Sequence, residues 1–433
     1  MRLCVQGLWH LGSVTAACLA SVRHQVLGLD SDTSIIKSLN EGKAPLFEPG
    51  LDLLITDGIK DGALEFTSDL AAACKDVEVL WVTFDTPVDD NDVADTNFVL
   101  NQIKETITFL PNGTLVLVSS QLPVGSIANL EKFVQDFEPN RNISFAYSPE
   151  NLRLGKALDV FRNPDRIIVG VRTNENRMVL ERLLLPITEK IQWMSVESAE
   201  MTKHAINAFL ATSVTFANEI AAICELVGAD AKEVERGLKT ESRIGPRAYV
   251  SPGGPFAGGT LARDIEFLGK ISKDRQLITP LLSSVGLSND THKKWVHRKL
   301  LEHYPDLVGI HVAVWGLTYK PGTDTLRRSL SVELVDWLLE HGALVQVYDP
   351  VVKDFPVNWA TGRVKKCTGA LEDLEKIQVL VVGTEWPEFK DLARQIPNLA
   401  NSDLLVIDAN RHLQESLMNT PIAYLSVGSK PAY

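Results

Sequence analysis

Apolar runs of strand length alternate with amphipathic helical patterns over residues 1–192. The apolar runs are short and nearly uninterrupted, which is typical of strands buried on both faces. Alternation of this kind predicts a parallel sheet with helices packed on both sides. The predicted strands are Leu3–Val5, Gln25–Leu29, Val79–Thr83, Leu115–Ser119, Ser144–Tyr147 and Ile167–Val171, and helices are predicted at Ser13–Ser21 and Thr33–Asn40.

The pattern becomes almost entirely helical over residues 193–305. Ala199–Val227 is one long helical run without Gly or Pro, and further helices are predicted at Ala231–Thr240 and from Leu261 onward. A Gly- and Pro-rich loop, Pro246–Gly259, lies between these helices. This region therefore predicts a helical linker domain, and its long helix is expected to carry a homodimer interface.

Strand–helix alternation returns after Ile310, which repeats the pattern of the opening region. Here the predicted strands are His311–Leu317, Leu344–Tyr348, Val379–Gly383 and Leu404–Ile407, with a helix at Ser331–His341. We therefore predict an α/β chain with two Rossmann-like, doubly wound domains at residues 1–192 and 306–433. A central, mostly helical domain at residues 193–305 joins them.

The composition mainly excludes certain binding partners and kinds of site. The 433 residues carry a net charge of −12, which argues against general binding to nucleic acid or anionic membranes. Five scattered cysteines without Cys-x-x-Cys spacing predict neither a disulfide framework nor a metal site, and most are expected to be buried. No cleavable apolar segment precedes the first predicted strand, and no apolar run has the length of a membrane span. A cytoplasmic location is therefore expected.

The first predicted helix opens with a dinucleotide fingerprint, Gly7-Leu8-Trp9-His10-Leu11-Gly12. The first glycine permits a tight turn and the last permits close helix–strand packing, whereas Trp9 stands where a second glycine usually lets backbone approach a pyrophosphate. Asp30 ends the second strand about 20 residues further on, where it can accept from an adenosine ribose, and this favours NAD over NADP. The alternative is a strand-capping aspartate in a domain that binds no cofactor.

Motifs for a particular family occur in order along the chain. They are Phe47–Leu51, Thr86-Pro87 with Asp95, Ser148–Arg153, Asn163–Arg166, Glu200 with Lys203 and Asn207, Asn218-Glu219, Arg243–Gly245, Gly253–Asp264, Gly316–Pro321, Asp324 with Arg327, and Thr384–Trp386. Each motif is weak alone, but the ordered series is specific. The chain resembles the UDP-glucose/GDP-mannose dehydrogenase family over nearly its whole length.

This resemblance implies NAD-dependent oxidation of the C6 alcohol of a nucleotide sugar, with a UDP-hexose as the substrate. It implies Lys203, Asn207 and Asp264 as the groups for the first hydride transfer, with Glu150 assisting. Lys203 and Asn207 are four residues apart on the predicted helix, so they share a face and both can reach one oxygen. A lysine and an amide can stabilise a developing oxyanion there, while Asp264 can orient a water or the lysine.

The chemistry of the second oxidation is altered in this chain. Thr260 stands where the family has its nucleophilic cysteine, and a threonine hydroxyl without an adjacent base is a poor substitute. Gln121 and Leu154 replace the family's threonine and second glutamate for hydrolysis. We therefore predict partial oxidation that stops at the aldehyde, or a redox-neutral reaction. Full oxidation by direct attack of water is less well supported.

Further departures lie near the same segment and near the C-terminus. Arg263 replaces the family's lysine but keeps its positive charge, which favours a nearby anionic ligand over a solvated arginine. The family's Asp-x-Arg segment becomes Asp408-Ala409-Asn410-Arg411, with the arginine shifted by one position. The Thr260 hydroxyl has two interpretations: it bonds a substrate oxygen, or it caps the helix that follows.

The candidate site residues fall into three groups. Lys203, Asn207, Asp264, Glu150 and Thr260 are the catalytic candidates. The cofactor-binding candidates are Gly7, Trp9, His10, Leu11, Gly12, Asp30, Thr86, Gln121, Arg263 and Arg327. The substrate-binding candidates are Glu150, Asn151, Leu152, Arg153, Lys203, Asn207, Arg243, Phe256, Gly258 and Lys320.

Two functions compete on this basis. The first is an NAD-dependent oxidoreductase acting on a nucleotide sugar, which the retained Lys203, Asn207 and Asp264 favour. The second is a non-catalytic protein that binds nucleotide sugar or NAD and regulates or scaffolds a sugar pathway. The changes at Trp9 and Thr260, together with those at the hydrolytic positions, favour the second.

Overall fold

The computed structural model describes residues 1–87, 94–150, 152–257, 259–359 and 362–429. The chain divides into two compact units, Met1–Ile206 and Asn207–Tyr433. The boundary between the units falls inside one long helix, Val196–Val227. That helix is long and apolar enough to cross a membrane, which is weak evidence because core helices of soluble proteins share the same length and composition.

The first unit contains eight strands and the helices between them. The strands are β1 Arg2–Gln6, β2 Gln25–Leu29, β3 Leu64–Thr67, β4 Val79–Val82, β5 Leu115–Val118, β6 Ser144–Tyr147, β7 Ile167–Gly170 and β8 Ile191–Met194. The helices are α1 His10–Ser21, α2 Thr33–Asn40, α3 Leu51–Lys60, α4 Leu70–Cys74, α5 Thr96–Ile107, α6 Ser126–Phe137, α7 Ala157–Arg162 and α8 Asn174–Leu184, and the long helix Val196–Val227 is α9.

The eight strands form one sheet in the order β3-β2-β1-β4-β5-β6-β7-β8. Neighbouring strands are parallel apart from β6 and β7, which pair antiparallel through Tyr147 and Gly170. Strands β4 and β5 are buried along their whole length, as expected for central strands covered on both faces. Helix α1 is buried from Leu11 to Ala20, because it packs on the sheet beneath α3 and α7.

The second unit continues α9 and adds a second sheet. Its further helices are α10 Ala231–Thr240, α11 Thr260–Asp274, α12 Pro280–Lys293, α13 Trp295–His303, α14 Leu330–Glu340, α15 Glu388–Ala393, α16 Ile396–Leu399 and α17 Gln414–Leu417, with 3₁₀ helices at Val357–Trp359 and Leu374–Lys376. Its strands are β9 His311–Trp315, β10 Leu344–Tyr348, β11 Val364–Lys366, β12 Val379–Val382, β13 Leu405–Ile407 and β14 Ala423–Leu425.

These six strands form a parallel sheet in the order β11-β10-β9-β12-β13-β14. Sequential strands run outward in both directions from the β9–β12 pair. A doubly wound sheet binds ligands where the strand order reverses, outside the carboxyl ends of its strands. In each unit the reversal lies beside the first strand, at β1–β4 and at β9–β12. The predicted α/β class with two Rossmann-like sheets is confirmed.

The predicted strands are present with ends within two residues of those expected, but four strands were missed. All four, β3, β8, β11 and β14, lie at the edges of the two sheets. They are short and only partly buried, so their sequences lack the continuous apolar run of the central strands.

Candidate functional site

The loop between β1 and α1 has the backbone geometry of a dinucleotide turn. Gly7 has φ +91°, and a Cβ placed on it would lie 2.6 Å from the ring of Phe84. A Cβ on Gly12 would lie 1.9 Å from the carbonyl oxygen of Gly7. Both positions therefore require glycine: the first for its left-handed turn, the second because the helix packs directly on the loop.

Trp9 occupies the middle of this turn with a negative φ, outside the left-handed region that favours glycine. It is the residue before α1, its φ is −68°, and its side chain is 45% exposed. The backbone at this position is therefore open to residues other than glycine. The change from the usual glycine alters the side chain at the loop surface and leaves the turn itself intact.

Asp30, which follows β2, is hydrogen-bonded to the same loop. Its Oδ2 accepts from the N–H of Leu8 at 2.7 Å, and its Oδ1 accepts from the N–H of Asp32 at 3.0 Å. A carboxylate has about four acceptor positions, so Asp30, which is half-buried, can also accept from a ribose hydroxyl. The loop glycines and this carboxylate fit the adenosine half of a dinucleotide.

The corresponding residue of the second sheet, Asp349, has a different environment. It is buried, and its two oxygens accept from the backbone N–H groups of Leu317, Thr318, Val351 and Val352. The indole N–H of Trp386 also donates to it. The hydrogen-bond acceptor positions of the Asp349 carboxylate are thus filled by groups of its own domain. The same strand-end aspartate is structural in the second sheet and open to a ligand in the first.

Two loops at the carboxyl ends of β4 and β5 are joined at the cofactor candidates Thr86 and Gln121. The buried Thr86 hydroxyl donates to the Gln121 carbonyl oxygen at 2.7 Å. Only the backbone of Gln121 takes part in this bond. A glutamine is therefore compatible with the loop geometry, and its side chain determines the chemistry at this position.

His10 and Leu11, at the start of α1, are positioned by the sheet and by Glu48. The His10 Nε2 lies 3.0 Å from Glu48 Oε2, and the carboxylate also accepts from the N–H groups of Gly155 and Ala157 at 2.8 Å each. Burial acts to raise the pKa of Glu48, but the bonds from Gly155, His10 and Ala157 outweigh it and lower that pKa. Glu48 therefore ties α1 to the loop that follows the Glu150 segment.

Lys203 lies against the loop that carries Glu150. Its Nζ donates to the Glu150 carbonyl oxygen at 2.8 Å and is 3.9 Å from Glu150 Oε1. The lysine side chain is 11% exposed, and the Glu150 Oε2 accepts from the N–H of Leu152 at 2.8 Å. The ammonium is thus held in one place with little access to bulk water, as a catalytic cation requires.

Residues that follow Glu150 are more exposed than Lys203. Arg153 is exposed, as is Leu154, which stands at the position of the family's second glutamate. The predicted role of Asn151 concerns a residue outside the described part of the chain.

Two buried side chains on α9 fix its first half within the first unit. The carboxylate of Glu200 accepts from the N–H groups of Gly125 and Ile127 at 2.8 and 3.0 Å, at the start of α6. His204 Nε2 lies 3.1 Å from the Leu122 carbonyl oxygen. Burial raises the pKa of Glu200, although the two N–H bonds oppose this. These contacts, which the sequence patterns did not predict, set the face of α9 from which Lys203 projects.

Asn207 and Asp264 form a buried pair in the second unit. The side-chain amide of Asn207 donates directly to Asp264 Oδ2, and both residues are almost completely buried. Asn207 is one turn beyond Lys203 on α9. Asp264 is therefore bonded to the Asn207 amide, and its predicted role in orienting a water or the lysine stays a prediction.

The loop that precedes Thr260 begins at Gly253, and we call it the signature loop. Polar side chains hold it by hydrogen bonds. Asn289 bonds both the N–H and the carbonyl of Phe256, at 3.0 and 2.8 Å. Asn218 Oδ1 accepts from the N–H of Gly253 at 3.0 Å, and His292 Nε2 lies 2.8 Å from the Gly253 carbonyl oxygen. Sequence reasoning named Asn218 only as part of a motif and missed Asn289 and His292. The loop is preorganised up to Ala257, while Gly258 lies outside the described residues.

Thr260 is the first residue of α11 and is exposed. The residue before it, Gly259, has φ +104°, and no side chain caps the helix. The expectation that the Thr260 hydroxyl caps α11 is therefore wrong, because Thr260 lies inside the helix rather than at the capping position. Among the described residues, no histidine or carboxylate is hydrogen-bonded to its hydroxyl.

The remaining basic candidates lie mostly at the surface of the second unit. Arg243 is 85% exposed and pairs with Glu241 at 3.0 Å. Lys320 and Arg327 are exposed, whereas Arg263 is half-buried on the first turn of α11.

The cysteines offer no replacement for the missing thiol. Burial raises the pKa of Cys18 to about 12 and of Cys74 to about 11, and it raises the pKa of Cys4 well above its ordinary value. A thiol with a raised pKa is a weak nucleophile near neutral pH. The expectation that most cysteines are buried is confirmed for Cys4, Cys18, Cys74 and Cys224, while Cys367 is half-buried.

Three family models match the chain in succession. They are described as the NAD binding domain, the central domain and the UDP binding domain of the UDP-glucose/GDP-mannose dehydrogenase family, and they match residues 1–188, 197–291 and 313–415. With this glycine turn and aspartate, the NAD-binding match indicates NAD as the cofactor, as predicted. The chain belongs to the UDP-glucose/GDP-mannose dehydrogenase family, whose members are NAD-dependent nucleotide-sugar dehydrogenases.

Individual relatives agree with this assignment. The chain is 32% identical to a UDP-glucose 6-dehydrogenase of Pseudomonas aeruginosa, over 99% of this chain and 97% of the relative. It is 31% identical to one of Rhizobium meliloti, over 99% of each. A solved UDP-glucose dehydrogenase from Pyrobaculum islandicum superposes with a TM-score of 0.85 at 26% identity, over 99% of this chain and 98% of that structure.

Proposed function

We propose that this protein oxidises an alcohol of a UDP-hexose with NAD in a single two-electron step and releases the aldehyde. One observation carries the proposal: Lys203 and Asn207–Asp264 are present and held by hydrogen bonds, whereas Thr260, at the thiol position, is exposed and has no hydrogen-bonded base among the residues that the structure describes. The protein therefore has the side chains for one hydride transfer, but Thr260 does not supply the nucleophile for a covalent oxidation of the aldehyde.

NAD, when bound at the Gly7–Gly12 turn, supplies the hydride acceptor. The protein residues handle the proton and the charge. The alcohol proton passes to a water that Asp264 orients, the Lys203 ammonium stabilises the developing oxyanion, and the contact of Lys203 with the Glu150 carbonyl keeps the ammonium in position. Asn207 is one turn away on α9 and contributes an amide whose orientation Asp264 determines.

The second oxidation requires the aldehyde to become a tetrahedral adduct. A cysteine thiolate does this readily near neutral pH, whereas a threonine hydroxyl without a base does not. Gln121 and Leu154 further remove the groups that the resemblance assigns to hydrolysis. The aldehyde is therefore the product that we propose leaves the enzyme.

We expect one NADH per sugar consumed when the purified protein is mixed with UDP-sugars and NAD. Thr260→Cys should add a further NADH of up to one equivalent per enzyme, with a covalent sugar acyl adduct visible by mass spectrometry. The adduct should persist because the hydrolytic residues are absent. Absorbance at the NADH band and product mass measure both results, and Thr260→Ser is the matched control that should remain at one NADH.

Two NADH per sugar in the unmodified protein would contradict the proposal. Absence of NADH with every UDP-, GDP- and TDP-sugar, while calorimetry still detects sugar binding, would favour the non-catalytic binding protein or a redox-neutral enzyme. Analysis of product mass separates those two.

We further propose a homodimer assembled through α9. Phe209, Phe216 and Ile223 are exposed and recur every seven residues, so they form an apolar stripe along one side of the helix. A stripe of this kind on a protein surface usually marks an association site. Several other expectations remain proposals: three domains at residues 1–192, 193–305 and 306–433, a cytoplasmic location, and no membrane or nucleic-acid partner. The burial of Glu200 and His204 supports α9 as a core helix.

Phe216→Asp should convert the protein from dimer to monomer, because it places a charge in the centre of this stripe. Light scattering coupled to gel filtration measures the mass. Phe137→Asp changes another exposed phenylalanine, on α6, and should leave the mass unchanged. A monomeric unmodified protein, or an unaltered dimer in the Phe216 variant, would count against this interface.

A further inference from the structure

A pocket of about 80 Å³ lies in the first unit, on the face of the sheet that α1 and α7 cover. Leu11 and Thr15, one turn apart on α1, border it on one side. Val160 and Phe161 border it from α7, and Trp81 borders it from β4. We call it the α1–α7 pocket.

The helix that carries Lys203, α9, lies on the other face of this sheet. Trp81 belongs to the core on the α1 side, whereas Ala199 of α9 belongs to the core on the opposite side. Residues 148–150 border the pocket, and the Glu150 carbonyl oxygen accepts from the Lys203 Nζ at 2.8 Å. A molecule in the α1–α7 pocket therefore contacts, from behind, the segment that holds the Lys203 ammonium.

Thr15 gives the interior of this pocket a hydrogen-bonding group. The residue is 1% exposed, and its Oγ1 has no hydrogen-bond partner among the residues that the structure describes. Buried hydroxyl groups are nearly always hydrogen-bonded, because an unpaired one has lost its contact with water without replacement. The Thr15 hydroxyl at the pocket wall therefore points to a partner from outside the chain.

Two other hydroxyl groups that border the pocket are already engaged. Ser119 Oγ accepts from the Trp81 indole N–H at 2.8 Å and donates to the Ser148 carbonyl oxygen at 2.6 Å. Ser148 Oγ donates to the Ile168 carbonyl oxygen at 2.8 Å. The protons of both serines are thus used inside the fold, whereas the Thr15 hydroxyl can both donate to a ligand and accept from one.

The walls of the pocket select against a charged ligand. Of the described residues around it, Glu150 and Arg166 are charged, and both are at least partly exposed, so the opening lies beside them. A charged molecule inside would lose its hydration without an opposite charge in contact with it. The interior is instead aromatic and aliphatic, with Trp81, Phe161, Leu11, Leu152, Pro164 and Ile167.

The volume of the pocket limits the size of the ligand. An engineered apolar cavity of about 150 Å³ holds benzene, so a pocket of about 80 Å³ suits a molecule of roughly three to five non-hydrogen atoms. One polar group on such a molecule can reach Thr15, while its apolar part packs against the rings of Trp81 and Phe161.

We propose that the α1–α7 pocket is an effector site for a small uncharged amide or alcohol that bonds the Thr15 hydroxyl. Its occupancy stabilises residues 148–150 and thereby the position of Lys203. The inference goes beyond the proposed oxidation, because it assigns a second site that the reaction does not use. Of the cofactor candidates, all of which lie in the described part of the chain, Leu11 alone borders this pocket, so the effector should bind together with NAD.

Propionamide is the probe, and propionate, of nearly the same shape but charged, is its control. Saturation-transfer NMR on the full chain, with and without saturating NAD, measures both affinities. Thr15→Val keeps the side-chain shape without the hydroxyl and should weaken propionamide binding by about three- to tenfold, the range for loss of one hydrogen bond. Thr15→Ser keeps the hydroxyl and should stay within about twofold, as should Thr108→Val, which changes an exposed threonine of the same unit.

Xenon NMR shows whether the pocket survives the substitution. Xenon needs apolar volume and no hydrogen bond, so Thr15→Val should bind it as the unmodified protein does. Hydrogen exchange tests the effector role. Glu150 Oε2 accepts from the N–H of Leu152 at 2.8 Å, so propionamide should slow exchange in the peptide that contains Leu152, and it should do so less in Thr15→Val at the same concentration.

Equal propionamide affinity in the unmodified protein and in Thr15→Val would overturn the proposal, and so would propionate binding of equal strength. Displacement of propionamide by NAD would also overturn it, because the pocket would then belong to the cofactor site. Binding without slower exchange at Leu152 would refute the effector role. None of these measurements requires turnover, so failure of this inference is distinguishable from failure of the proposed oxidation.

Discussion

Replacement of Lys203 by methionine is expected to lower kcat for NADH formation by about 10²- to 10⁴-fold, the usual contribution of a positioned proton-transfer or charge-stabilising group. Methionine keeps the length and apolar stem of lysine but removes the ammonium that is held 2.8 Å from the Glu150 carbonyl. KM for the sugar should change much less, because the charge it stabilises develops mainly in the transition state. Stopped-flow absorbance of NADH measures the step directly.

The matched control is Lys132→Met. Lys132 is an exposed lysine of the same unit that pairs with Asp136 on its own helix, so its loss should leave kcat within about twofold, as for most surface changes. NAD binding should be equal in both variants, which separates a chemical defect from misfolding. A Lys203→Met enzyme with nearly normal kcat would show that another group manages the charge on the substrate oxygen.

Glu200→Ala is expected to lower the free energy of unfolding by about 2–6 kcal/mol, because the N–H groups of Gly125 and Ile127 lose their shared acceptor, each at about 1–3 kcal/mol. Denaturant unfolding of the full chain measures the loss. Hydrogen exchange should localise it to the start of α6. Glu197→Ala is the control on the same helix: this more exposed carboxylate pairs with Arg172, and such a pair contributes about 0–1 kcal/mol.

The contribution of Glu200 to the free energy of unfolding should also depend on pH. Because burial raises the pKa of Glu200 in the folded protein, folding favours the protonated form more than the unfolded chain does. Its contribution is therefore fully present below the pKa of the unfolded chain and is lost as pH rises through the folded pKa. The stability difference between the unmodified protein and Glu200→Ala should shrink as pH rises over that range. A difference that grows with pH would contradict the assigned environment.

The central parts of both sheets could be predicted from the sequence because those strands are covered on both faces. Val79–Val82 and Leu115–Val118 are wholly buried, so selection for burial leaves an uninterrupted apolar run. The edge strands Ile191–Met194 and Val364–Lys366 face solvent along part of their length and leave no such run. Pairing with a neighbour, which is a non-local property, is what makes them strands.

The candidate site divides in the same way. Gly7, Gly12 and Asp30 could be assigned from their spacing, because the turn's geometry constrains a few adjacent residues. The supports of the signature loop, Asn289 and His292, could not, because they are distant in sequence and carry no local pattern. Thr260 shows the limit clearly: its residue type is evident, but whether it caps α11 depends on one residue of helix register.

By itself, the sequence determined the alternation of strands and helices, the glycine turn with its aspartate, and the loss of the thiol at Thr260, since each depends on residue type and short-range spacing. Only the tertiary structure decided which of two similar aspartates remains open to a ligand, and which carboxylate pairs with Arg411. Asp349 is saturated by its own domain, and Arg411 is drawn to Asp230. Both outcomes depend on groups brought together by folding, and folding determines which hydrogen-bond positions are left for a ligand.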